Sequence, residues 1–163
     1  MNTKKTVRIF AALTMVAVMS LVTVNAQQKG DMAVGGDLSI GMGDDYTNVG
    51  IGGKFRYNII DPVRLEGTLT LFLPKYETTH WDLSAYGHYL FNVADKLIVY
   101  PLAGLGVYGW SNDGYSGSKA SITFGGGLDV MITDKLAFNA EMKYKIVDYI
   151  DRFIISAGIT YKF

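Results

Sequence analysis

The sequence predicts an all-β protein: a closed antiparallel up-and-down transmembrane β-barrel of about eight strands. Three observations carry that prediction. After the first 26 residues the chain is a succession of period-two segments, apolar on one face and small or polar on the other. The segments run to about ten to fourteen residues, long for globular strands, and would climb roughly 23 Å when tilted. Charged residues make up 18% of the chain, against the roughly 25% usual in soluble domains.

Residues 1–26 read as a cleaved signal peptide. Lys4, Lys5 and Arg8 form a basic start, the uncharged run "IFAALTMVAVMSLVTV" follows, and "VNA" precedes a cut after Ala26. The alternative, a membrane anchor, needs a longer apolar run. Residues 27–163 then form one mildly acidic domain, because removal of those three cations tips a neutral precursor. There is no cysteine, so neither a disulfide framework nor a lipoprotein anchor is possible. No basic patch suggests nucleic acid, and no later run is apolar enough for a membrane helix.

The strands follow in order. Met32, Val34, Leu38, Ile40 and Met42 alternate with Ala33, Gly35, Asp37, Ser39 and Gly41 up to the loop "GDDYT". Val49, Ile51, Phe55, Tyr57 and Ile59 alternate with small and basic residues up to "IDP", where proline presets the turn. Val63 to Leu73 and Trp81 to Phe91 repeat the pattern around the loop "PKYET". After "NVADK", the segment "LIVYPLAGLGVYGW" is apolar in both phases. Continuity puts Leu97, Val99, Ala103, Leu105 and Val107 on the outer face. Pro101 predicts an irregularity or bulge there. "SNDGYSGS" reads as a loop, Ile122 to Val130 as a strand, "TDK" as a turn and Leu136 to Tyr144 as the next strand. After the loop "IVDYID" the last strand runs from Phe153 to Phe163. Tight turns thus fall on one side and looser, polar loops on the other.

Alternation alone also fits a secreted, lipocalin-like binding barrel with its apolar face inward. Two features choose the opposite orientation. The polar face is mostly Gly, Ser, Thr and Asn, too uncharged for a soluble skin but small enough for a narrow interior. The aromatics on the apolar face also gather at strand ends. Trp81, Tyr144 and Phe153 lie toward the looser loops, and Tyr57, Tyr89, Phe91 and Phe138 toward the tight turns. Two such belts are what lipid interfaces select. In hydrocarbon each unpaired backbone group costs several kcal/mol, so the sheet must close, last strand against first.

That orientation turns Lys54, Arg56, Arg64, Glu66, Asp82, Asp129, Glu141 and Lys143 inward, with Asp37, Lys145 and Lys162. The signs nearly balance, and buried charges need partners. A cross-strand network is expected, such as Arg56 or Arg64 with Glu66, Asp82 or Glu141. With Tyr86, Tyr100 and Tyr108 it would fill the lumen.

This pattern resembles the small outer-membrane β-barrel family of Gram-negative bacteria. The resemblance rests on the leader, the amphipathic strands, the Gly-rich "FGGGLD" and "PLAGLGVYG", and the terminal "ITYKF". It implies location in the cell outer membrane, in contact with outer-membrane lipid and lipopolysaccharide, as a monomer. It also implies that Phe163, Tyr161 and Ile159 are the face read by the barrel-assembly machinery. The family has no single activity, so the resemblance fixes location better than role.

Little chemistry competes with this reading. "GLGVYG" has dinucleotide-loop spacing, but a strand end rather than a helix surrounds it. His80, Asp82 and Ser84 share a face with His88. Neighbours two apart on a strand, however, stand roughly 6–7 Å from each other, too far for a triad without a second strand. Two histidines and no cysteine offer no dedicated metal set. No catalytic residue and no cofactor are expected. The role expected is structural or surface-interacting, with a lipid-modifying enzyme or a narrow solute channel as the alternatives.

Overall fold

A computed structural model describes residues 27–43, 47–75, 77–148 and 150–163. The leader expected over residues 1–26 and most of "GDDYT" lie outside the described residues. The strands are β1 (Met32–Met42), β2 (Thr47–Ile60), β3 (Val63–Lys75), β4 (Thr78–Tyr89), β5 (Phe91–Ala94), β6 (Leu97–Asn112), β7 (Tyr115–Met131), β8 (Leu136–Val147) and β9 (Ile150–Lys162). Neighbours in chain order pair antiparallel except β4 and β5, which both pair with β6, and β9 returns to β1. The sheet therefore closes on itself and leaves no edge through its height.

The short β5 is the end of β4, so the barrel has eight strands. His88 faces Leu102 and Phe91 faces Val99, which is one unbroken register across Leu90. The ladder lapses there because Pro101, on the facing strand, has no N–H to give. Of the irregularity or bulge expected at Pro101, the irregularity is present as this lapse, and no residue is inserted on the β7 side. β6 pairs with β7 without a register shift from Leu97 to Asn112, because a missing donor removes one bond and inserts no residue.

The alternating faces are oriented as the composition requires. Leu38, Leu69, Leu71, Phe124 and Ile155 are exposed on the outside, whereas Asp37, Arg64, Asp129 and Glu141 are buried within. A secreted binding barrel needs the reverse. In β6, Ile98, Tyr100, Leu102 and Tyr108 point inward, the phase that continuity predicts.

Glycine makes the interior deep enough for aromatic rings. Phe72 faces Gly50 and Tyr86 faces Gly104 across their strand pairs. A Cβ on Gly104 would come within 2.4 Å of the Tyr86 ring. The two tryptophans repeat the device near the end away from the termini. Trp81 covers Gly109 on the outside, and Trp110 covers Gly117 within. Such aromatic cover of cross-strand glycine restores packing that a bare backbone lacks.

The contrast between tight turns and looser loops does not survive. β6 and β7 pair to Asn112 opposite Tyr115, leaving the two-residue turn Asp113–Gly114 in place of the loop "SNDGYSGS". Asp-Gly suits that hairpin because the tight turn needs positive φ, and Gly114 has φ 97°. β8 and β9 likewise pair to Val147 opposite Ile150. Both ends of the barrel carry short hairpins.

Candidate functional site: the charged interior

The interior charges form two clusters at different heights. Toward the termini, Arg56 on β2 is the hub. Its Nε donates to Glu66 Oε2 at 2.5 Å, its Nη1 to Asp129 Oδ1 at 3.1 Å and its Nη2 to Glu141 Oε1 at 3.0 Å. Those partners lie on β3, β7 and β8, so one guanidinium ties four strands across the lumen. Tyr100 Oη donates to Glu141 Oε1 at 2.9 Å. Arg64 donates to Asp129 Oδ2 at 2.7 Å and to His88 Nδ1 at 3.2 Å. Its guanidinium stands 4.7 Å above the Tyr100 ring, which stacks on His88 at 4.6 Å. Lys54 pairs with Asp37 at 2.8 Å and Lys143 with Glu141 at 2.8 Å. Lys143 also lies 5.2 Å over the Tyr86 ring. Arg64 is 1% exposed and Glu66 and Glu141 equally so; each such ion is tolerable only because a counter-ion touches it.

Asp82 belongs to the second cluster. It accepts from Lys145 and, at 2.6 Å, from Ser84 Oγ. This corrects the expected pairing with Arg56 or Arg64: Asp82 faces the lumen as read, but above their reach. Arg152 donates to Tyr108 Oη and to Asn48 Oδ1, and its guanidinium stands 5.1 Å over the Phe72 ring. The sequence reading missed Arg152 by starting the last strand at Phe153. Counting the period back from Lys162, Thr160 and Ser156 would have placed Arg152 inside.

The outer face carries the aromatic residues. Tyr144 lies opposite Phe153 near the far hairpins, with Trp81 on Gly109 toward the same end. Tyr89 and Phe91, 5.0 Å apart by ring centres, lie toward the termini with Tyr57 and Phe138. Phe55 and Phe124 are also exposed outside and sit nearer the middle, so the sorting by height is incomplete. Ile159 and Tyr161 are exposed on the outer face of β9. Phe163 N donates to Met32 O at 3.1 Å, seating the last residue against β1.

Two arrangements resemble chemistry. Ser84 is held by Asp82 and Lys145, while His80 stacks on Tyr108 at 5.6 Å. Glu66, His88 and Glu141 bring ligand atoms within 4.8 Å of one another. Arg64 donates to His88 Nδ1, however, so the neutral ring carries its proton on Nε2, toward Glu66 Oε1 at 4.0 Å. The carboxylates already hold Arg56, Lys54 and Lys143. A metal ligand needs the opposite arrangement, a free Nε2 with an acceptor behind Nδ1. The residues do not fit a cation.

Residues 9–163 match the outer membrane protein beta-barrel domain family. The chain belongs to that family. Its place is therefore the outer membrane, and its exposed apolar wall faces lipid. No curated protein matches the chain. Among solved structures it resembles Ail, the attachment invasion locus protein of Yersinia pestis, with 22% identity, TM-score 0.59, and cover of 83% of this chain and 100% of that one. It also resembles the N-terminal β-barrel domain of Pseudomonas aeruginosa OprF, with 18% identity, TM-score 0.67, and cover of 84% and 100%. Neisserial surface protein A is similar at 15% identity and TM-score 0.63, with cover of 82% and 96%. At these identities the likeness concerns the fold.

Proposed function

We propose that this protein is a structural or surface-interaction barrel whose lumen is closed by its own side chains, acting neither as an open pore nor as an enzyme. Arg56 supports this best: it bridges Glu66, Asp129 and Glu141 from three other strands. Opening a path there means separating buried ions from their partners, which costs several kcal/mol. Arg152 with Tyr108 and Asn48 forms a second barrier above it. The protein is exported by its leader, sits as a monomer among outer-membrane lipid and lipopolysaccharide, and is delivered by the barrel-assembly machinery through Phe163, Tyr161 and Ile159. The direct test is conductance of the purified protein in planar bilayers. A silent bilayer is expected; stable, reproducible single-channel steps would replace this reading with a channel.

A further inference from the structure

The residues before β1 do not run straight out of the barrel. They turn back over its terminal end. Gln28 N donates to Asp31 Oδ2 at 2.9 Å and Asp31 N to Gln28 O at 3.0 Å, which closes a tight turn. Gly30 sits in that turn at φ 91°, a conformation that costs glycine nothing and other residues much.

From this turn the segment reaches β2, β3, β9 and the link between β2 and β3. Gly30 N donates to Asn58 O at 2.8 Å, and Asn58 N donates to Asp31 O at 2.9 Å. Lys29 N donates to Asp61 Oδ1 at 2.8 Å. Lys162 Nζ donates to Asp31 Oδ2 at 3.3 Å, so the segment bridges the seam where β9 closes on β1. Arg64 Nη1 donates to Gln27 Oε1 at 3.2 Å. The Gln27 side chain thus ends on the guanidinium that holds Asp129.

Between the segment and the barrel lies a cavity of about 20 Å³, lined by Gln27 and Asp31 and, from the barrel, by Asn58, Arg64, Thr160 and Lys162 among others. That is room for a water molecule. Asn58 and Thr160 are buried there, 2% and 4% exposed.

The attachment is polar throughout. Gln27 to Asp31 include no apolar side chain, and Gln28, Lys29 and Gly30 are exposed. A segment held by solvent-facing hydrogen bonds, with no apolar burial, opens locally far more readily than a barrel strand.

We infer that Gln27–Asp31 is a lid over the terminal mouth of the lumen, hinged where β1 begins at Met32. Docked, it covers Arg64, Asn58 and Thr160. Lifted, it opens them to water-borne solutes from that end, while the layer of ion pairs around Arg56 still bars the way through. The inference rests on the closed-lumen reading and adds to it a part that moves.

The chain has no cysteine, so single cysteines report access without background. Thr160→Cys is made in protein purified from outer membranes and held in lipid nanodiscs, and its reaction rate with a charged methanethiosulfonate is measured. Ser156→Cys, opposite Glu141 and behind the Arg56 layer, is the control. With the lid intact both should react slowly. Two further changes release the lid without touching a strand. Asp31→Ala removes the acceptor of Gln28 N and Lys162 Nζ. Gly30→Val strains only φ, because a Cβ there meets nothing within 4 Å. Either should speed Thr160→Cys at least about tenfold and leave Ser156→Cys unchanged. Equal rates at Thr160→Cys with the lid intact and released would overturn the lid. So would a matching rise at Ser156→Cys, which reports a loosened barrel. Rapid reaction of Ser156→Cys with the lid intact would mean an open lumen and sink the closed-lumen reading together with the lid; a failure confined to Thr160→Cys sinks the lid alone.

Discussion

Tyr100 lies across Gly127, its partner on β7, and a Cβ on that glycine would fall 2.8 Å from the tyrosine ring. The ring is thereby seated between His88 and the Glu141 carboxylate it bonds. Room made by one strand for a ring from the next is the relationship that ties the glycine content of this chain to the aromatic rings it holds inside.

Glycine substitutions should accordingly divide by face. Gly104→Ala meets Ala85 O at 2.2 Å as well as Tyr86, and backbone cannot yield as a ring can. It should cost about 1–3 kcal/mol or more. Gly127→Ala should cost less, because its neighbours are side-chain ends. Gly53→Ala and Gly67→Ala, with nothing within 4 Å, should be near neutral. Urea unfolding in detergent micelles, followed by the gel mobility shift of folded barrels, ranks the four.

Removing the hub of the charged interior should be severe. Arg56→Ala leaves Glu66 and Asp129 short of a counter-ion in a buried site, a loss of about 3–5 kcal/mol. Arg56→Met combined with Glu66→Gln should cost less than the two single changes added together, since each alone strands the other's charge. A double-mutant cycle on unfolding free energy measures the difference, and additivity would show that the pair is not coupled.

Deleting Phe163 should separate assembly from stability. In the folded barrel its N donates a bond to Met32 O, worth about 1 kcal/mol. Refolding into detergent should therefore be nearly unchanged, while the fraction reaching the outer membrane in cells should fall sharply. Equal yield in cells would leave the terminal aromatic as an ordinary lipid-facing residue.

Face was legible in the sequence and height was not. Period two put Leu69 outside and Arg64 inside, and continuity settled β6 even though Ile98, Tyr100 and Leu102 are as apolar as Leu97 and Val99. Alternation carries no information about which inward residues meet across the lumen. Asp82 therefore meets Lys145, another inward charge, rather than the arginines that alternation alone leaves equally eligible. Strand ends failed for another reason. Polar residues such as Asn112 and Ser116 mark loops in soluble proteins, but here they are strand that has risen out of lipid. Arg152 was lost the same way, hidden in a segment whose polarity reads as loop.

The orientation on which all of this depends has its own test. Leu105 is 66% exposed on the outer face of β6, between the neighbouring outer-face residues Ala85 and Ile122 on adjacent strands. Leu105→Arg would place a charge in hydrocarbon, at a cost of about 2–4 kcal/mol near the midplane. The effect should shrink for Val130→Arg, close to the rim at the terminal end, where the side chain can reach the interface. In a water-soluble barrel both positions would be exposed surface, and both arginines would be tolerated within about 0.5 kcal/mol. Unfolding from lipid vesicles, compared between the two variants, therefore reads the depth of the wall directly, and equal small effects would mean that this face does not meet acyl chains.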